Sequence, residues 1–460
     1  MALACEPWSW SQISKVAEDM GYPADRRKLE LSRATERPGA TFDTSVNRDA
    51  PRLTLWRDAF GWCPFCHQIQ LHLEEKGVAY NVRRHPLSMY RVGEKDPEFL
   101  RDSPDGLVPA LRVYKRQELA TLDSAESWSV VRGATDIAKF IEANCNGPQF
   151  LRCPGVDHNM CNVYLSLVDV LVKYMSEMAR AAVAAASEPD NDSLRRPARE
   201  AEKWLMSTLE DIDMSVGESG GPYFFGKVFS VVDMAFAPWV DRASAILSFF
   251  SKIEIQDGRF PSLNAWLAAM ASRPAHRSLR LDRETLLRIS AASWGASAGA
   301  GGYLQALTHA LQSWPLPCTA AAGASEELAA AEAAQCFAAC HKGVVALAGH
   351  RAPQSSLPLV DKLFRTVAVA ALNRGTMLEP GVLVDAAVHD ELAVAIIFVR
   401  SRIAVPRDMS EPAACHLRSL LQMLAEGLVG KERVLSILQE NFCAYGEKLV
   451  FSSSESKANL

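Results

Sequence analysis

Two thiols stand two residues apart in Gly61-Trp62-Cys63-Pro64-Phe65-Cys66-His67, a few residues after the apolar run Leu53 to Trp56. Such a pair can ligate a metal, close a disulfide, or lend one thiolate to nucleophilic catalysis. A structural zinc site takes four ligands, usually two such pairs, and the sequence holds no second C-x-x-C. His67 adjoins Cys66, and on a starting helix adjacent side chains diverge by about 100°. No metal is therefore expected. A purely structural reading makes the pair two small residues at a helix start. Position argues for chemistry instead. Pro64 suits a first helical turn, where its missing N–H is not needed, and this puts Cys63 just before the helix. Free N–H groups and the positive dipole end stabilise a thiolate there, and cysteines so placed titrate between ~3.5 and ~7 instead of ~8.5. Cys66, about one turn further in, is the less exposed and more ordinary thiol. This asymmetry fits Cys63 as nucleophile and Cys66 as an optional resolving thiol.

The elements around the pair read as an α/β segment followed by all-α segments. Residues 50–149 give the order β-α-β-loop-β-β-α, a mixed sheet flanked by helices. "RLTLWRD" alternates; Ile69, Leu71, Leu73 and Val78 follow near helical spacing, with Gly77 as C-cap. "AYNVRRHPL" is the next strand, "KDPEFLRDSPDG" a loop, "LVPALRVY" a strand, and "QELATL" a short one. A helix over "AESWSVVRGATDIAKFIEAN" closes the segment. Residues 1–49 read as an extension with one short helix and no core. Residues 150–292 are helical throughout, and Ser230 three residues before Asp233 fits a capping box. Residues 293–335 form a Gly/Ala-rich linker, 336–450 an additional helical domain of unknown role, and 451–460 a disordered tail.

The segments "LTLWRDAFGWCPFCHQIQLHLEEKGVAYNV", "SPDGLVPALRVY" and "ESWSVV" resemble the N-terminal domain of glutathione transferases. They are most similar to the cysteine-containing omega, lambda and dehydroascorbate-reductase classes, and to glutaredoxins. "FFGKVFSVVDMAFAPWVDR" is similar to the all-helical C-terminal domain of the same superfamily, so the resemblance covers about residues 51–290. "FVRSRIAVPRDMSEPAACHLRSLL" resembles the tails of long transferase-like proteins of plants and algae. The resemblance implies a thioredoxin-like domain and a helical domain that bind glutathione as co-substrate. It makes Cys63 the residue that forms a mixed disulfide with glutathione, and Pro109 a cis-proline before the third strand. Val108 then offers its backbone to the cysteinyl part, with Phe65 beside it. Glu126 pairs with the glutathione α-amino group. Ser127 binds the α-carboxylate at a helix start, and Asp123 with Ser124 is the alternative pair. The implied function is a glutathione-dependent thiol transferase or reductase acting on a small electrophile, disulfide or glutathionylated substrate. The alternatives are a conjugating or dehalogenating transferase, and a non-catalytic glutathione-binding scaffold whose helical tail recruits a partner. Related folds often dimerise, so a homodimer is among the expectations.

The totals agree with a globular chain. Of 460 residues, 48% are hydrophobic and 22% charged, and the net charge of −5 points to neither nucleic acid nor an anionic membrane. No apolar run approaches the ~20 residues needed to span a bilayer. Eleven scattered cysteines, and an N-terminus without signal-peptide architecture, favour a reducing, cytoplasmic setting, with a plastid address as the alternative. Cys336 and Cys340, four apart before His341, read as small neighbours on a helix, not a haem-attachment motif. Arg400, Arg402 and Arg407 read as solvated charges, Asp408 and Glu411 as a capping box, and Glu74–Glu75 as a plain helix face. Trp128, Trp239 and Trp266 read as core residues of helices.

Overall fold

A computed structural model describes residues 7–22, 34–35, 52–58, 61–85, 95–114, 128–151, 156, 158–187, 190–287, 326–372, 386–438 and 440–441. They divide into two units, the residues of Leu31–Arg280 and those of Met1–Glu30 with Leu281–Leu460. The first helix, α1 (Trp10–Asp19), falls in the second of these, which differs from the coreless extension expected for it.

Leu31–Arg280 contains β1 (Ala34–Thr35), β2 (Arg52–Asp58), α2 (Pro64–Lys76), β3 (Tyr80–His85) and α3 (Pro97–Asp102). β4 (Ala110–Tyr114), β5 (Trp128–Arg132) and α4 (Ala134–Asn144) follow. The sheet order is β1-β3-β2-β4-β5. β2 pairs parallel with β3, which requires a crossover, and α2 is that crossover. β4 and β5 return antiparallel. Leu53 and Leu55 of β2 pack with Ile69 and Leu73 of α2 and with Ile137 and Ile141 of α4. Trp56, pointing to the opposite face, packs with Phe99 of α3 and with Ala110. β2 is thus buried on both faces, and its C-terminal end delivers the Cys63 loop.

Two local expectations change. The stretch read as a loop contains α3, because Asp96 caps it by accepting the Glu98 N–H at 2.8 Å and Pro97 takes the first turn. The closing helix begins later than expected. Trp128 to Arg132 pair with β4 instead, and Gly133, at φ 79°, turns the chain into α4. Trp128 is therefore a strand residue; β-branched Val130 and Val131 favour that state. The strand expected at 117–122 lies outside the described residues.

Polar groups lock these layers. The Asp102 carboxylate accepts Trp56 Nε1 at 2.6 Å, Arg112 Nε at 2.7 Å and Trp128 Nε1 at 3.2 Å, which ties α3 to three strands. Glu142 of α4 does the same for the way out of the sheet. It takes His72 Nε2 at 2.7 Å and Lys76 Nζ at 3.1 Å through Oε1, and the Phe150 N–H at 3.0 Å through Oε2. Burial pushes the Glu142 carboxyl up, but the bonds from His72, Phe150 N–H and Lys76 outweigh it and hold it down to about 2. A depressed carboxylate stabilises the fold above its unfolded pKa, and that contribution disappears as pH falls toward the folded value. Up to about 3 kcal/mol is therefore lost between pH ~4.5 and ~2. Acid denaturation followed by circular dichroism is expected to show Glu142→Gln less stable at pH 7 and with a shallower acid limb than wild type.

The helices of this unit are α5 (His158–Ser187), α6 (Asp192–Glu218), α7 (Val231–Ile246, continued by a π turn), α8 (Pro261–Ser272) and α9 (Pro274–Leu279). α7 is buried at every position but Ser244. The expected capping box is present: Asp233 accepts the Ser230 N–H at 2.9 Å and Ser230 Oγ accepts the Val232 N–H at 3.2 Å. Asp233 also accepts Trp266 Nε1 at 2.9 Å, and burial pushes its carboxyl up to about 6. Glu75 is more than a helix face. Its carboxylate is gripped by the Arg273 guanidinium, with Nε at 2.7 Å, and Arg273 also donates to Tyr223 Oη at 3.1 Å. α2 is thereby fastened to the α8–α9 junction.

The other unit packs α1 with α10 (Glu326–Ala348), α11 (Leu357–Leu372), α12 (His389–Arg400) and α13 (Glu411–Val429). α10 begins inside the stretch read as a linker. Its buried Ala329–Ala334 run lets neighbouring helices approach closely. α1 buries Ile13 and Ala17 there, and Trp10 Nε1 donates to Asp361 at 2.8 Å. His341 stacks on Trp10, ring centroids 5.1 Å apart. Arg400 is not a solvated charge. It is fully buried, donating to Glu284 at 2.9 Å. Asp408 does not cap α13; Ser410 precedes that helix and is held by Glu332, while Asp408 accepts the Ala404 N–H at 2.7 Å. Among the described residues no helix is long and apolar enough to cross a membrane.

Candidate active site

β2 ends on Asp58, whose side chain lies under the loop into α2. It is 1% exposed. Its Oδ2 accepts the Trp62 N–H at 2.7 Å and its Oδ1 the Cys63 N–H at 3.0 Å. Gly61 turns the loop at φ 74°, a conformation that suits glycine, and a Cβ there would meet Arg57 Nη1 at 3.0 Å. Cys63 is the N-cap of α2, with extended backbone and no side-chain cap bond, and Pro64 opens the first turn. The Cys63 thiol lies 3.8 Å from Val108 O. The Val108–Pro109 peptide is cis, and Pro109 O accepts the Gly133 N–H at 3.2 Å. Phe65 stands half exposed with its ring against Trp239.

The two thiols differ. Cys63 keeps 8% of its surface exposed, and Cys66 keeps none. Burial pushes the Cys66 thiol well above its ordinary range, reinforced by its hydrogen bond with Cys63 and by the charges of Cys63 and Asp58. Cys66 thus keeps its proton beside Cys63.

A second layer lies beneath. His67 is buried, and burial followed by Arg242, His276 and Arg57 lowers its basicity, leaving a neutral ring at pH 7. It stacks on His276, which sits 3.7 Å from Asp241; Asp241 in turn accepts Arg280 Nε at 3.1 Å. Arg242, projecting from α7 and 4% exposed, donates to Trp62 O and Pro238 O. Burial lowers its guanidinium to about 10, against the opposing pull of Asp241, Cys63, Asp58 and Cys66.

Asp58, Cys63 and Cys66 each offer one donor atom within 4.8 Å of the others, the one such group among the described residues. Three donors leave a closed tetrahedral site one ligand short, and both Asp58 oxygens already accept N–H groups. The arrangement suits thiol chemistry better than metal binding.

The structure brings Cys63, Cys66, Val108 and Pro109 together, whereas the Phe65 ring packs on Trp239. Glu126 and Ser127, and the alternative pair Asp123 and Ser124, lie outside the described residues. Sequence reasoning missed Asp58 and Arg242. The available signals were a carboxylate closing a strand buried on both faces, and an arginine within a mostly apolar helix.

A family model of the glutathione S-transferase N-terminal domain matches residues 62–144, and one of the C-terminal domain matches residues 191–269. The chain is 24% identical over 225 residues to "Glutathione S-transferase L2, chloroplastic" of Arabidopsis thaliana, covering 49% of this chain and 65% of that protein. It is 23% identical over 243 residues to "Glutathione S-transferase DHAR2" of the same plant, covering 53% of this chain and 93% of that protein. Among solved structures, glutathione transferase Omega 3C from Trametes versicolor is 23% identical with a TM-score of 0.39, covering 54% of this chain and 98% of that one.

Proposed function

We propose that the chain is a glutathione-dependent thiol transferase or reductase of the glutathione S-transferase superfamily, whose family models match residues 62–144 and 191–269. The observation that carries the reading is the unequal thiol pair at the start of α2: Cys63 retaining a little exposed surface and facing Val108 O, Cys66 fully buried behind it. A hydroxyl at that position only hydrogen-bonds the glutathione thiolate, whereas a thiolate can attack the glutathionyl sulfur of a disulfide and displace its partner thiolate.

The reaction balances as two exchanges. The Cys63 thiolate attacks the glutathionyl sulfur of R–S–S–G, and the S–S bond breaks to release R–S⁻, which takes up a proton. A glutathione thiolate then attacks the Cys63–S–S–G bond, releasing oxidised glutathione and regenerating the Cys63 thiolate. Alternatively Cys66, once it loses its proton, attacks Cys63 Sγ and releases glutathione thiolate; two further glutathione thiolates then reduce the Cys63–Cys66 disulfide and leave as oxidised glutathione. Glutathione is co-substrate, held along the backbone of Val108 and beside Phe65, with Glu126 and Ser127 proposed for its γ-glutamyl end.

The test is turnover of a glutathionylated peptide by reduced glutathione, coupled to glutathione reductase. Release of peptide thiol with stoichiometric oxidised glutathione supports the reading. Conjugation of glutathione to an electrophile without disulfide turnover moves the chain to a conjugating class. Glutathione binding with neither reaction makes it a scaffold.

A further inference from the structure

The peptide unit just before the nucleophile is held from both ends by opposite charges. Asp58 accepts the Cys63 N–H at 3.0 Å, and Arg242, 180 residues away in sequence, donates to the Trp62 carbonyl of the same peptide. The guanidinium also lies 6.0 Å from the centre of the Trp62 ring. Resting on the assignment of Cys63 as nucleophile, we propose that Asp58 and Arg242 form an opposed charge pair that sets its reactivity, Arg242 favouring the Cys63 thiolate and Asp58 restraining it.

Satisfying a carbonyl does not by itself call for a buried cation, since any neutral donor would serve. The hydrogen bonds of Arg242 go to two carbonyl oxygens, and among the described residues its Nε has no partner. Asp241, the carboxylate next to it in sequence, is shared with Arg280 and His276. A guanidinium so placed gains from any negative charge that forms beside it, and the Cys63 thiolate is such a charge. Asp58 acts with the opposite sign on the same atom, because its N–H bonds hold the carboxylate within 4.8 Å of both sulfurs. Among the described residues, the other charged or titratable groups near this pair include Cys66 on α2, Arg57 on β2 and His67, with Asp241, His276 and Arg280 behind them. Of these, the buried His67 is neutral at pH 7. Arg242 and Asp58 are positioning residues; neither bonds to substrate.

The test is the pH dependence of Cys63 alkylation by iodoacetamide in the reduced full-length protein, read by peptide mass spectrometry, with no glutathione present. Arg242→Gln is expected to raise the midpoint by on the order of one unit and slow alkylation at pH 7 severalfold; Asp58→Asn is expected to lower it. Arg242→Lys, which keeps the charge, should fall between wild type and Arg242→Gln. A merely structural role would move both neutral variants in the same direction, and that result overturns the proposal. So does a midpoint that stays within about 0.2 unit of wild type in both. If Arg242→Gln fails to fold, Asp58→Asn decides alone: a lower midpoint supports the proposal, and an unchanged or higher one overturns it. Because the readout needs no glutathione, its failure is distinct from a failure of the thiol-transferase reading.

Discussion

Cys63→Ser is expected to lose at least ~100-fold of glutathione-disulfide exchange, while Cys66→Ser stays within about tenfold of wild type. Serine cannot form the mixed disulfide, because its hydroxyl has no sulfur to exchange and is a far weaker nucleophile than a thiol. What remains after Cys63→Ser is binding alone. Cys66 occupies a different environment: it has no exposed surface, and burial together with Cys63 and Asp58 keeps its proton in place. Removing it leaves the second exchange to external glutathione, which slows turnover without abolishing the first step. Steady-state rates at saturating glutathione check both variants. Abolition by Cys66→Ser with activity retained in Cys63→Ser would reverse the assignment of nucleophile.

Arg418→Met should cost about 3–5 kcal/mol of stability in the unit that contains α13. Arg418 is 2% exposed and donates to Asp282, to Ile403 O at 2.7 Å and to Thr285 Oγ1 at 3.2 Å. Glu284 lies 3.7 Å away and also holds Arg400. Burial works against the Arg418 cation, yet Asp282 and Glu284 bind its proton more tightly than usual. Methionine fills much of the volume but strands the Asp282 carboxylate, 4% exposed, without its cation. Arg418→Met combined with Asp282→Leu is expected to be less damaging than Arg418→Met alone, because no uncompensated charge is then buried. Urea denaturation of the full chain, followed by circular dichroism, measures both variants. Equal stability of Arg418→Met and wild type would mean that this ionic cluster does not contribute as described.

What the sequence made legible was local. Cys63, Pro64 and Gly77 mark the ends of α2 within one stretch of chain, and Ser230 with Asp233 marks the start of α7. These features depend on neighbours three or four residues away. Features built across the fold were misread or missed. Arg400 looked solvated beside Arg402 and Arg407 because its partner, Glu284, is 116 residues earlier. Arg242 looked like an ordinary helix residue because the carbonyl it holds belongs to Trp62. The strand at Trp128–Arg132 was absorbed into a helix because the helix-forming run after Gly133 dominated the window. There the pairing with β4 decides the conformation, and pairing is invisible to local propensity.

The most direct measurement is a mass map of reduced Cys66→Ser protein after treatment with oxidised glutathione. With Cys66 removed, one glutathionyl adduct is expected, located on Cys63 and released by reductant. No adduct, or an adduct only on another cysteine while Cys63 stays unmodified, would contradict it.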